Sequence, residues 1–397
     1  MITARILDLD DRVIKKEFDR IKVDKRGIDI MLPKSMFYVL KLEGLTSVCA
    51  NVIKQQMLSN GGEVAVSRGA IDSSAKKSDC VIMGTLKQFQ ELIRKLKVQP
   101  WGLREVSEKI KDVLDKTLQK TFDIKWGNFR LKFGRKTRIM GILNVTPDSF
   151  SDGGKFFQLD NSLMQAERLE QDGADIIDIG GESSRPGAKS VSVNEELKRV
   201  IPVIKKIRKK IKIPISIDTR KSEVAKEAIE HGANIINDIS GMNYDANMVN
   251  VAKNNNVPVI LMHMKGNPST MQVEPGYKDV VSEIYDYFEK TIKRAVKNGI
   301  DYKKIIIDPG IGFGKRLEDN VEILKRLREF RSLGCPVLVG PSRKSFIGEI
   351  LKNSTNERLN GSLASCACAI MNGADIVRVH DVLEVHELVK IVDSIIR

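Results

Sequence analysis

The sequence predicts an α/β protein: a closed parallel (β/α)8 barrel preceded by a smaller α+β domain. Three observations predict it. From Ile139 onward, eight short apolar runs rich in β-branched residues each end in polar residues. Amphipathic helical stretches separate the runs, and several stop at a glycine just before the next one (Gly173, Gly232, Gly299, Gly334, Gly373), where a helix commonly ends in left-handed backbone. Residues 1 to 120 lack this rhythm. Near-continuous apolar strands alternating with helices mean a parallel sheet covered on its faces. Eight such units over about 260 residues suit a closed barrel. A doubly wound open sheet, the runner-up, normally has fewer strands.

Along the chain, GIDIMLP (27–33) and SDCVIMG (78–84) read as strands of the first domain. VCANVIKQQMLSN (48–60), LKQFQELIRKLK (86–97) and GLREVSEKIKDVLDKTL (102–118) read as helices, the last with apolar residues at i, i+3 and i+4. NFRLKFGRKTRIMGI (128–142) reads as a hairpin that turns at Gly134, feeds the first barrel strand and plugs the N-terminal mouth of the barrel. The division is expected near residue 122, giving an N-terminal domain over 1–122 and a barrel over 123–397. The barrel strands are RIMGILN (138–144), DIIDIG (175–180), IPISID (213–218), NIINDI (234–239), VPVILMH (257–263), KIIIDPG (304–310), PVLVGPS (336–342) and DIVRVH (375–380).

Composition excludes several classes. Apolar residues make up 42% of 397 residues, enough for a large core. No run approaches the about 18 apolar residues of a membrane span, and the charged N-terminal stretch lacks the apolar heart of a signal peptide. The five cysteines are odd in number and include no C-x-x-C pair. No membrane partner and a reducing cytoplasm are therefore expected. The net charge of +14 raises nucleic acid as a rival partner, but aromatic residues are only 5% and offer little for bases to stack on. A lysine-rich solvated surface is the expectation, with no nucleic-acid partner. Abundant Lys, Glu and Ile also point weakly to a thermophile.

The polar residues at the strand ends carry the functional signal: Asn144, Asp178, Glu182, Asp218, Asn237, Asp238, His263, Asp308, Lys344, Arg378 and His380. Singly, each has an ordinary reading as a cap or turn. In a barrel they converge on one face. They sort into two chemistries. Asp218, Asn237 and Asp308 suit a planar ligand with several N–H donors, because carboxylates accept and an amide does both. Arg378, His380, Lys344 and Arg185, near the loop 144–154, suit a phosphate or diphosphate with Mg²⁺. The glycines of DPGIGFGK (308–315) let backbone approach a flat ligand.

Taken in order, LNVTPDSFSDGG (143–154), GGESSRPGA (180–188), SIDT (216–219), INDI (236–239), LMHMKGNPSTMQ (261–272), DPGIGFGK, GPSRKSFIG (340–348) and VRVHDV (377–382) resemble the dihydropteroate synthase family. The likeness spans the barrel, and the N-terminal extension is of the kind carried by archaeal relatives. The resemblance implies a TIM-barrel transferase. It condenses 6-hydroxymethyl-7,8-dihydropterin diphosphate with p-aminobenzoate to 7,8-dihydropteroate and pyrophosphate, in folate or methanopterin synthesis. It also implies Mg²⁺ and a homodimer.

By the same resemblance, Asp218, Asn237, Asp308 and Lys344 hold the pterin, with Met264 and Phe313 packed near it. Asp218, Asp308 and Lys344 are the expected catalytic set. Asn144, Arg378 and His380 hold the diphosphate, and Asn144 also reaches Mg²⁺. Ser184, Arg185, Pro186 and Ser342 serve the aminobenzoate. One departure is that the usual S-T-R-P reads Ser183-Ser184-Arg185-Pro186 here, which keeps the hydroxyl and loses a methyl. Diphosphate leaves with its charge absorbed by cations, and the aniline nitrogen attacks the pterin methylene, so no protein nucleophile is required. Two further readings stay open: a ribofuranosylaminobenzene phosphate as the amine, and a pterin-dependent corrinoid methyltransferase. The second leaves Ser342–Lys344 and Arg378–His380 without a role.

Overall fold

The computed structural model describes residues 2–7, 10–72, 74–145, 155–183, 187–188, 190–267, 270–271, 275–354 and 357–397. The chain divides into two compact units, Met1–Asp115 and Lys116–Arg397.

The first unit holds three antiparallel strands, β1 (Phe37–Thr46), β2 (Glu63–Val66) and β3 (Lys77–Thr85), in the order β1-β3-β2. Helices Ser47–Leu58, Leu86–Leu96 and Leu103–Leu118 match the three expected from the sequence. Ile53, Met57, Ile82, Phe89, Leu92, Leu96 and Ile110 form the core. SDCVIMG lies in β3 as expected, but GIDIMLP does not form a strand. It lies in the helix Lys25–Ser35, whose first N–H groups at Arg26 and Gly27 are capped by the Asp24 carboxylate. That cap, three residues before an apolar stretch that buries only Ile28, outweighs the β-like composition. The strands not expected from the sequence are β1 and the short β2; in β1 the signal is present. Leu40 and Leu42 point inward and Lys41 and Glu43 outward, the period-2 pattern of a half-buried strand.

In the second unit, β4 (Phe122–Trp126) and β5 (Phe129–Phe133) form an antiparallel hairpin. It turns at Gly127, which has φ +47°, rather than at Gly134. Gly134 ends the hairpin instead: at φ +93° a Cβ there would meet the Lys120 carbonyl oxygen at 1.9 Å. The plug reading holds. Ile124, Leu131 and Phe133 are buried in the barrel's own core. The Arg331 guanidinium lies over Phe122 and bonds Asp375, just before the last strand, while Arg138, at the start of the first, bonds the Lys132 carbonyl.

The barrel strands are β6 (Arg138–Asn144), β7 (Ile176–Gly180), β8 (Ile215–Asp218), β9 (Ile235–Asp238), β10 (Val259–Met262), β11 (Ile305–Asp308), β12 (Leu338–Val339) and β13 (Ile376–Val379). Every neighbouring pair is parallel, β13 pairs with β6, and a bridge between Ile307 and Val337 closes the ring. All eight lie inside the expected runs. The barrel is also fastened where the chain enters and leaves it. Asp393 accepts from the Thr137 N–H and hydroxyl, both at 2.7 Å, and Arg397 bonds Asp393 and Thr137.

Candidate active site

The register of the parallel strands aligns their C-terminal ends. Asp218 lies beside Asn237, and Asp308 beside Met262. These side chains meet Lys344, from the start of the helix Ser345–Leu351, and Arg378 of β13 around an open pocket of about 310 Å³. Ile239, Met262, Ile311 and Phe313 supply its apolar wall. Met264 packs against the cluster of Ile239, Met262, Met271 and Phe313, so the two apolar residues expected near the ring share one wall.

The polar floor is tightly cross-linked. Arg378 donates from Nε to Asp178 Oδ2 at 2.6 Å and from Nη2 to Asp218 Oδ2 at 2.7 Å. Asn237 Nδ2 donates to the same Asp178 oxygen at 3.1 Å. Asp308 Oδ1 accepts from the Gly310 N–H at 2.7 Å. Gly310 has to be glycine: its φ is +71° and a Cβ would strike the His263 carbonyl oxygen at 2.0 Å. Lys344 Nζ stands 4.0 Å from the centre of the Phe313 ring, a cation–π contact.

Burial sets the ionisation. It pushes Asp218 up to about 7, against the pull of Arg378 and with repulsion from Asp178. It pushes Asp308 up to about 6, against the Gly310 bond and Lys344. Lys344 is brought down to about 8 by burial and by Arg378. Two carboxyls and an ammonium thus titrate close to neutrality, as at sites that exchange hydrogen bonds with a ligand.

Other expected residues take different places. His380 Nδ1 lies 3.1 Å from Ser342 Oγ, which also accepts from the His380 N–H. The residue expected at the diphosphate and the one expected at the aminobenzoate are therefore joined. Enclosure by the chain, with Arg378 and Arg343 nearby, brings the His380 imidazole down to about 4. Asn144 ends β6 beside Gly180 and is half-buried. Ser184, Arg185, Pro186 and the loop 146–154 lie outside the described residues.

Three strand-end residues serve the scaffold. Asp238 turns back to bond Ser240 and the Met242 N–H. His263 is buried against Tyr287 and takes a bond from Lys315; burial and Lys315 hold it well below the usual imidazole range. Glu182 is held by Arg220 at 3.0 Å and Lys221 at 2.5 Å. A fourth strand-end residue with no assigned role, Asp178, does belong to the site, where it holds Arg378 and Asn237. Its signal is its position two residues before the end of β7, on the same inward side as the Gly180 position.

A floor of hydrogen-bond acceptors beside an aromatic wall, at the strand ends of a closed barrel, defines an enzyme that binds a flat, nitrogen-rich ring. Residues 140–380 match the family described as pterin binding enzyme. The dihydropteroate synthase of Synechocystis is 48% identical over 272 residues, 68% of this chain and 94% of that protein. The chain belongs to the dihydropteroate synthase family. A Halobacterium salinarum protein, a probable bifunctional folylpolyglutamate synthase/dihydropteroate synthase, is 40% identical over 387 residues, 97% of this chain and 46% of its own length. That likeness includes the N-terminal unit. Among solved structures, Xanthomonas albilineans dihydropteroate synthase with 4-aminobenzoic acid is 40% identical, with a TM-score of 0.65, covering 69% of this chain and 98% of that one.

Proposed function

We propose that this protein is a transferase that joins 6-hydroxymethyl-7,8-dihydropterin diphosphate to p-aminobenzoate, forming 7,8-dihydropteroate and pyrophosphate. The observation that carries the reading is the single pocket in which Asp218, Asn237 and Asp308 face Lys344 and Phe313. The pterin lies between the apolar wall and Arg378. Its amino and ring N–H groups donate to the carboxylates and to Asn237, and Lys344 donates to a ring acceptor. Of the five guanidinium N–H donors, two bond Asp178 and Asp218, so Arg378 keeps donors for the diphosphate beside His380 and Asn144. The methylene C–O bond breaks as diphosphate leaves, the aniline nitrogen forms the new C–N bond, and its proton passes to solvent or the departing phosphate. Asp218 is assigned the part of steadying the positive charge that develops on the methylene. Ser184, Arg185, Pro186 and Ser342 are assigned to the aminobenzoate.

Mg²⁺ belongs to this reading only as an ion carried by the diphosphate. Among the described residues no group of three His, Cys, Asp or Glu could hold a metal. A magnesium ion bound largely by phosphate oxygens and water needs only one or two protein oxygens, and the Asn144 amide supplies one. The ion's chemistry is to neutralise charge on the departing phosphate.

A homodimer is supported by exposed apolar side chains on the helices Leu359–Met371 and Val382–Ile396: Met371, Leu383, Ile391 and Ile395. No described helix is long and apolar enough to cross a membrane. All five cysteines are free and four are buried, which supports a cytoplasmic setting.

Ring binding requires ionised Asp218 and Asp308 and a protonated Lys344. Affinity for the free pterin is therefore expected to rise with pH through about 6 and about 7 and to fall above about 8. Calorimetry from about pH 5 to pH 9 checks this, and a flat profile would rule out the carboxylate roles. The reaction is tested by mass spectrometry of products, with p-aminobenzoate and its ribosyl phosphate offered in competition. The pteroate mass is expected to dominate. No pterin–amine product from either would overturn the function, and a dominant ribosylated product would reassign the amine.

A further inference from the structure

Asp178 is wholly buried, and neither the sequence reading nor the mechanism above gives it a part. One of its oxygens, Oδ2, carries two bonds: Arg378 Nε at 2.6 Å and Asn237 Nδ2 at 3.1 Å. The other, Oδ1, is buried and has no partner among the described residues. Ser216, its register neighbour on β8, likewise has a buried hydroxyl without a partner. A buried carboxylate oxygen left without a donor costs stability. Where a fold keeps such a group beneath a binding pocket, the compensating gain is expected in function.

The chemistry of the two bonds says what the gain is. An ionised carboxylate only accepts. Asn237 must therefore turn its NH₂ toward Asp178 and present its carbonyl oxygen to the pocket. Without that partner, a half-turn of the amide would exchange oxygen for nitrogen at almost no change in shape, and an acceptor facing the ligand would become a donor. Arg378 is constrained in the same way. Bonds from Nε to Asp178 and from Nη2 to Asp218 fix the plane of a rigid guanidinium, which leaves the Nη1 edge and the remaining Nη2 hydrogen as its unused donors.

We propose that Asp178 is a positioning residue for the ring pocket: through one oxygen it sets which way the Asn237 amide faces and in which plane the Arg378 guanidinium lies. The pocket then meets its ligand with an acceptor at Asn237 and donors at Arg378 before the ligand arrives. The inference rests on the pterin reading of the pocket.

The test uses the full chain carrying Asp178→Ala, which removes the acceptor, and Asp178→Asn, whose amide oxygen can still accept from Asn237 and Arg378 but carries no charge. Binding of 6-hydroxymethyl-7,8-dihydropterin without its diphosphate is measured by calorimetry, alongside the thermal midpoint. Both variants are expected to melt lower, because Arg378 loses one of its two carboxylate partners. Asp178→Ala is expected to bind the pterin roughly tenfold more weakly or worse, the loss of one charge-assisted hydrogen bond, and Asp178→Asn to recover most of that affinity. In the background of Asn237→Ala, Asp178→Ala is expected to add less than it costs alone, because part of its effect passes through Asn237. Unchanged pterin affinity in Asp178→Ala would overturn the positioning role while leaving the pterin reading intact. So would failure of both variants to fold, or losses that add fully with Asn237→Ala, since either marks a purely structural part. Failure of the unaltered protein to bind any pterin overturns the functional reading, and this role with it.

Discussion

Asp308→Ala is expected to abolish measurable pterin binding. Asp308 ends β11 almost fully buried, and its Oδ1 is already committed to the Gly310 N–H at 2.7 Å. Its other oxygen is left to face a ligand from a pocket floor where water competes poorly. Charge-assisted bonds in such a place are each worth about 1.5–3 kcal/mol, so removing the acceptor from two N–H groups costs affinity by about a hundredfold or more. The glycine loop that follows would also lose its anchor. Asp308→Asn separates the two effects: its amide oxygen can still hold Gly310, but its NH₂ meets the ligand's donors with a donor. It should therefore keep its melting behaviour and still reject the pterin. Micromolar affinity retained by Asp308→Ala would sink the assignment.

Arg378→Ala is expected to unfold the barrel more easily as well as to weaken binding. From the sequence alone, with Arg378 assigned to the diphosphate, the variant should spare a pterin that lacks the diphosphate. The structure changes that expectation. Arg378 is the common counter-charge of Asp178 and Asp218, and removing one partner of a buried ionic group costs about 3–5 kcal/mol, because the other is left uncompensated. A lower denaturant midpoint and weaker binding of both pterin forms are therefore expected, with the greater loss for the diphosphate form. Asp218→Asn in the same chain should recover part of the stability by removing a stranded charge. A midpoint unmoved by Arg378→Ala would show that the two carboxylates find other partners.

The barrel was legible because its signal repeats. Each of the eight runs is short, β-branched and followed by a helix ending near glycine, so an error in one would not have altered the whole. The first domain offered no repetition. There, GIDIMLP has the composition of a strand, and the Asp24 cap that makes it helical lies just outside the stretch. Gly134 reads as a turn because a glycine between two apolar runs usually is one, while the turn belongs to Gly127 and Gly134 yields to the Lys120 carbonyl. In the site, residue identity at strand ends was enough to collect Asp218, Asn237, Asp308, Lys344 and Arg378, which the structure gathers in one pocket. Pairing was not legible. Nothing local in DIIDIG or DIVRVH says that Asp178 and Arg378, two hundred residues apart, share a hydrogen bond, since that follows only from closure of the ring.

The bonds among Thr137, Asp393 and Arg397 carry a consequence for how the barrel can be cut. Arg397 Nη2 stands 3.0 Å from Thr137 Oγ1, so the first and last turns of the ring lie side by side at the end away from the strand-end pocket. A few linking residues from 397 to 137 would make the barrel endless, and its start could then be moved to any exposed helix–strand connection at that same end. Such circularly permuted barrels should assemble the pocket unchanged, because closure rests on neighbouring strands and not on the order in which they are threaded.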